Sequence, residues 1–307
     1  MVAQQIKYYI NWLQLKNYKS FYLAFLRVAI SIWLLKDVLI NWTSLDILYG
    51  PSGFTVPSGK LFFSITGEVY ALIRHNYHWF VACYLAVICL NILGIGRWFI
   101  ALLLFVSTWV LHHLNTSFIN GGDRMAELIL MYLIIADTYQ YFVLQKQRFE
   151  KADKAKLKNL LSNLAAVSIM LQLCVIYFSL GLSKINDALW WQGEAVYYAL
   201  LMERFEGTTL NKVIVQYKWL VVAANYAVIL FEVLFPLLVW IKKLRSPLIL
   251  AGIIFHLCIY VFMMIYGFQI VFVLIYGLFL PKKTLVGWYE DIGRKLKWPT
   301  CGRSNVI

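Results

Sequence analysis

The sequence predicts an all-α polytopic membrane bundle of about eight transmembrane helices, and three observations carry this. Hydrophobic residues make up 62% of the 307 and charged residues only 14%, whereas soluble domains average roughly 25% charged. Apolar runs of at least ~18 residues recur along the chain, each long enough to cross the hydrocarbon core of a bilayer. Basic residues gather in alternate short loops beside these runs, the bias of loops kept on the cytoplasmic side. The net charge of +13 therefore reads as membrane topology rather than a nucleic-acid patch.

The runs place spans at roughly 20–41, 77–95, 97–116, 123–143, 160–183, 216–240, 246–266 and 268–280. Residues 1–19 precede them as an amphipathic interfacial segment with Lys7, Lys16 and Lys19 and no signal-peptide cleavage pattern. Arg97 lies between spans two and three. The loop 145–159 carries Lys146, Arg148, Lys151, Lys154, Lys156 and Lys158. Lys242, Lys243 and Arg245 follow span six, and Lys282 and Lys283 follow span eight. With eight spans all these groups fall on one side, which puts both termini in the cytoplasm of a multi-pass inner (plasma) membrane protein.

The opposite loops differ in character. Residues 42–76 are rich in Gly, Pro and Ser, and 184–215 mix Asp187, Glu194, Glu203 and Glu206 with few bases. The membrane domain thus covers 20–281. The tail 282–307 alternates Lys and Arg with Trp288, Tyr289, Leu296 and Trp298, as an interfacial helix on anionic lipid does. The cysteines offer no disulfide framework, and no internal repeat points to an inverted-repeat transporter.

An ionisable group at membrane depth costs on the order of 2.5–3.5 kcal/mol, so each should face protein or water and have a partner. Arg27, Lys36 and Asp37 fall on span one, Glu127 and Asp137 on span four, Glu232 on span six and His256 on span seven. Glu127 and Asp137 each lie about 40° from Asp123, on either side of it around an ideal helix, so the three mark one inward stripe. Arg27 with Glu232 or Asp137 reads as a buried structural ion pair, and His256 as a structural imidazole.

An outer cluster has a different character. Lys36, Asp37, His112, His113, Asp123, Arg124 and Lys184 project to the extracytoplasmic third, with Asn120, Trp190 and Trp191 beside them. Asp123 also reads as a helix N-cap after a Gly-Gly turn. Lys184 reads either as a lysine that desolvation turns into a base, or as a lysine that snorkels to the interface. His112 and His113 are adjacent and cannot both point inward, so no metal site is expected.

Several of these elements recur together: Arg27 with Lys36–Asp37, NGGDR at 120–124, YFSLGLSKINDALWWQG at 177–193, FEVLFP at 231–236 and the single His256. With them, residues 20–281 resemble the membrane domain of the vitamin K-dependent gamma-glutamyl carboxylase and its bacterial relatives, the horizontally transferred transmembrane domain. The resemblance implies an eight-to-nine-helix bundle with a dry pocket for a reduced quinone, and by motif it makes Lys184 the base that deprotonates it. In the carboxylase the oxygenated quinone then removes a proton from a glutamate γ-carbon, and the carbanion captures carbon dioxide. This chain reads Asn120–Gly121 where the carboxylase has an Asn–His pair, and it is expected to lack the large lumenal domain. It is also similar to the sporulation-delaying antimicrobial-peptide maturation and export proteins, in size and in the NGGD segment.

Three functions follow. The first is an enzyme in which Lys184 and Asp123 act on a quinone-like or lipid-soluble substrate bound by Arg124, His112, His113, Asn120, Trp190, Trp191, Lys36 and Asp37. The second is a non-enzymatic factor for maturation or export of a small secreted peptide. The third is an ion-coupled transporter using Arg27, Asp137, Glu232 and His256 as an inner relay.

Overall fold

The computed structural model describes residues 2–53, 67–144, 151–205, 207–265 and 267–281. Lys146, Arg148, Glu206 and the expected interfacial tail 282–307 lie outside the described residues. The chain is all-helical, 82% helix, with no strand among the described residues.

The helices in order are α1 (Val2–Leu15), α2 (Ser20–Ile40), α3 (Leu45–Tyr49), α4 (Gly67–His75), α5 (Tyr77–Leu93), α6 (Arg97–Leu114) and α7 (Gly121–Ile135). They continue with α8 (Ala152–Ile185), α9 (Ala188–Trp191), α10 (Ala195–Leu201), α11 (Leu210–Ile214), α12 (Lys218–Leu238), α13 (Lys242–Met263) and α14 (Phe268–Tyr276). By length and composition α6, α8, α12 and α13 can each cross a membrane. The pair α4–α5, bent by 82° at its break, makes a fifth if it counts as one span. The segment Phe268–Phe279 is apolar but shorter. Helix α2 has the length, at 21 residues, but Arg27, Lys36 and Asp37 put three charges on it, more than an uninterrupted span of this length usually carries.

Helix α2 packs on α5, α7 and α14, with Leu23, Ala24, Leu26 and Ile30 fully buried. Helices α5, α6, α7, α8 and α14 supply Ile88, Leu104, Ile129, Ile169 and Ile275 to the same continuous core. Helices α12 and α13 lie further out. Leu250, Ile254 and Leu257 of α13 are each more than half exposed, which suits a lipid-facing surface and not a wet one. Helix α1 docks on the start of α8, where Asn163 Nδ2 donates to the carbonyls of Leu13 and Lys16 at 2.8 and 2.9 Å.

The fourth apolar run is shorter than its hydropathy suggests. Helix α7 stops at Ile135, and Ala136 turns to extended backbone. Asp137 then accepts the Tyr139 amide on its own Oδ1 at 3.4 Å, and its own amide donates to Ser162 Oγ at 2.8 Å. An aspartate that offers the backbone such local bonds competes with the helix. Asp137 therefore leaves the stripe expected for it with Asp123 and Glu127.

The buried arginine is held differently from the expected ion pair. Arg27, 1% exposed, donates to the carbonyls of Asn91, Ile92, Tyr141 and Phe142 and sits 5.3 Å from the centre of the Tyr139 ring. It joins the end of α5 to the chain leaving α7. Glu232 is bonded elsewhere, to Lys184.

Candidate functional site

The NGGDR segment organises one end of the bundle. Asn120 caps α7, its side-chain oxygen accepting from the amides of Gly122 at 2.7 Å and Asp123 at 3.2 Å. Asp123 Oδ2 accepts the Asn120 amide at 2.8 Å, which closes a reciprocal capping box. The cap is thus Asn120, and Asp123 is its partner three residues on. The two glycines let α14 approach, since a Cβ on Gly121 or Gly122 would stand 2.8 Å from Phe268 atoms.

Beside this cap lies a cavity of about 210 Å³ between α2, α3, α6 and α7. Its polar wall includes Asp37, His112, Asn115, Asn120 and Asp123, and its remaining wall includes Trp33, Leu48, Tyr49, Tyr84 and Leu111. Asn115, 3% exposed, ties α6 to α3 by donating to the Leu48 carbonyl at 3.1 Å. Its Oδ1 has no partner, and neither has the indole N–H of Trp33, which is 4% exposed. Both atoms are shut off from solvent, and a buried polar atom left unpaired costs roughly 1–3 kcal/mol. Burial, with the carboxylates of Asp37 and Asp123 adding, pushes the Tyr49 phenol up to about 12.

Next to the cavity stands a carboxylate–imidazole pair. His112 Nδ1 bonds Glu127 Oε2 at 3.0 Å, with the two side chains 13% and 12% exposed. A carboxylate can only accept, so Nδ1 carries a proton and donates it to Glu127. Arg124, half exposed, reaches the same Glu127 oxygen at 3.4 Å. Lys36 Nζ bonds Asp37 Oδ1 at 2.6 Å.

The outer cluster expected from sequence is therefore divided. Asp37, His112, Asn120 and Asp123 line the cavity, with Lys36 and Glu127 bonded to members of that wall. Arg124, His113, Trp190, Trp191 and Lys184 do not line it. His113 bonds the Trp109 carbonyl at 2.7 Å, and Trp191 is 66% exposed. Lys184, at the end of α8, donates to both oxygens of Glu232 on α12 at 2.9 and 2.7 Å and lies 5.0 Å from the centre of the Trp190 ring.

His256 forms a third polar group. Its Nε2 meets the Tyr177 hydroxyl at 2.8 Å, and that hydroxyl meets Tyr276 at 2.5 Å. Among the described residues no group of three or more His, Cys, Asp or Glu is placed to hold a metal ion.

The sequence did not single out Trp33, Tyr49, Tyr84, Asn115 or Gly267, and it placed Glu127 on an inward stripe and not in the outer cluster. The available signal was the hairpin itself: His112 and Glu127 flank one short turn, which brings α6 and α7 together as neighbours. Taken together, the chain is a helical protein with membrane-length helices that encloses a polar cavity beside a carboxylate–histidine pair. Comparison with models of known families, with curated proteins and with solved structures found no match.

Proposed function

We propose that this chain is a multi-pass inner-membrane protein of eight spanning helices, with both termini cytoplasmic, in which the cavity beside α7 takes a proton from a lipid-soluble, quinone-like substrate. The resemblance to the gamma-carboxylase membrane domain supplies the substrate class. The observation that carries the chemistry is the Glu127–His112 pair at the cavity wall. Glu127 fixes the imidazole tautomer and its orientation, and His112 Nε2 is the proton acceptor, the arrangement in which a base is oriented by a third group. Asp37 and Asp123 offer acceptors for hydroxyl groups of the substrate. In this reading Lys184 is a helix-joining cation and the base is His112.

The test is anaerobic ionisation of reduced menadione by the purified protein in nanodiscs, followed by the absorbance shift of the bound anion at neutral pH. The wild type and a Lys184→Met/Glu232→Gln double variant should both show the shift. His112→Ala and Glu127→Gln should lose it at least tenfold. A wild type without a shift, or a His112→Ala variant equal to it, refutes the proposal.

A further inference from the structure

Helix α8 is longer than the hydrocarbon core of a bilayer. Its 34 residues extend about 50 Å at ~1.5 Å each, against a core of about 30 Å. The excess includes its first two turns, which hold Asp153, Lys154, Lys156 and Lys158, and the apolar stretch starts just beyond Asn159. Helix α1 is fastened at that boundary. Asn159 Nδ2 donates to the Gln14 carbonyl at 3.0 Å, and Asn163 Nδ2 to those of Leu13 and Lys16. The Tyr18 amide donates to Asn163 Oδ1 at 3.0 Å. In a bilayer crossed by α8, α1 therefore leaves the bundle at the level where hydrocarbon meets headgroups.

Only the end of α1 is covered. Ile6, Tyr9, Ile10 and Leu13 share a sector of about 100° around the helix, the apolar stripe of an amphipathic helix. Leu13, beside α8, is half-buried, whereas Ile6, Tyr9 and Ile10 are 54%, 62% and 41% exposed. Lys7 and Lys16 flank the sector on opposite sides, both exposed, and residues 1–19 contain no Asp or Glu. The turn after α1 adds positive charge, since Lys19 is bonded to the Leu280 carbonyl with Arg245 near enough to repel it.

We infer that α1 is a membrane-surface anchor, its Ile6, Tyr9 and Ile10 stripe set into the headgroup region of an anionic phospholipid leaflet and Lys7 and Lys16 placed against lipid phosphates. The inference rests on the membrane-spanning part of the proposed function and is independent of the chemistry at His112. Three exposed side chains offer on the order of a few hundred Å², short of the ~800 Å² per partner of a stable protein complex. Lipid binding by such a helix instead adds apolar burial to the attraction of its lysines for anionic headgroups.

The test places a nitroxide at Ile10→Cys, and separately at Asn11→Cys, in the full chain freed of its native cysteines and held in nanodiscs. In discs of mixed phosphatidylcholine and phosphatidylglycerol, the label at 10 should be reached by oxygen dissolved in the bilayer. The label at 11, on the polar side of α1, should be reached by a water-soluble nickel chelate. Lys7→Gln and Lys16→Gln should each lower the ratio of immersed to released helix by about fivefold, and discs of phosphatidylcholine alone should lower it further. A label at 10 that stays in water in the mixed discs overturns the anchor. So does immersion that neither the lysine variants nor the loss of phosphatidylglycerol changes, or spin–spin coupling at Ile10→Cys that reveals a second copy seated on the stripe. A label at Leu257→Cys on α13 separates the two readings. Oxygen access there with none at 10 removes the anchor alone, and water access at 257 removes the spanning arrangement itself.

Discussion

Removing Lys184 should cost far more stability than neutralising its partner. Glu232 is almost wholly inside the protein, its side chain 3% exposed, while that of Lys184 is 16% exposed at the end of its helix. Lys184→Met leaves a buried carboxylate with neither of the two N–H donors at 2.9 and 2.7 Å. Breaking a buried pair in this way costs about 3–5 kcal/mol. In Glu232→Gln the amide oxygen still accepts from the ammonium, and the long lysine stem can carry its charge towards the interface. That change should cost about 1–2 kcal/mol. The double variant Lys184→Met/Glu232→Gln contains no stranded charge, so it should be more stable than Lys184→Met alone, with a coupling of about 2 kcal/mol. Equilibrium unfolding in mixed micelles, followed by tryptophan fluorescence, measures all three. Equal losses from the two single variants, summed without coupling in the double, would refute the view that the pair exists to neutralise Glu232.

Three further outcomes are expected. Arg27→Met should destabilise by about 3–5 kcal/mol, because four carbonyls lose their donor, and Arg27→Lys should recover only part of this; thermal melting in detergent reads both. Gly252→Ala should cost about 1–3 kcal/mol, since its Cβ would stand 2.3 Å from the Tyr276 hydroxyl, and the same melt measures it. Lys19 donates to the Leu280 carbonyl at 2.8 Å, and burial, with Arg245 adding, lowers its pKa from 10.5 to about 8. The unfolded chain then binds more protons between pH 8 and 10.5, so the wild type should gain stability across that window relative to Lys19→Met. A flat difference between the two unfolding curves would exclude it.

The helices were legible in the sequence and their polar partnerships were not. Length and hydropathy are local properties, so runs such as 97–116 and 216–240 appear as α6 and α12 within a few residues. Asp137 shows the limit, because apolar neighbours hid an aspartate turn that ends α7 early. Arg27 was expected to seek a carboxylate, yet carbonyls satisfy it, and carbonyls occur at every residue and leave no trace in composition. Glu232 took the lysine 48 positions back along the chain, a choice set by the packing of α8 on α12. The NGGD turn was readable as a turn, but the division of work between Asn120 and Asp123 depends on backbone angles. Trp33 and Asn115 read as ordinary bundle residues, and only the packing shows that each buries a polar atom without a partner.

The carbonyl grip on Arg27 also bears on how the chain is made. Helix α2 leaves the ribosome with three charges and none of the four carbonyls that later hold its arginine. Two of these, at Tyr141 and Phe142, are synthesised more than a hundred residues afterwards. In the proposed eight-helix arrangement α2 would be a poor membrane segment at birth and a sound one only once α7 has followed it. Its insertion should then wait on downstream sequence, and chains interrupted before Phe142 should be the ones that quality-control proteases find.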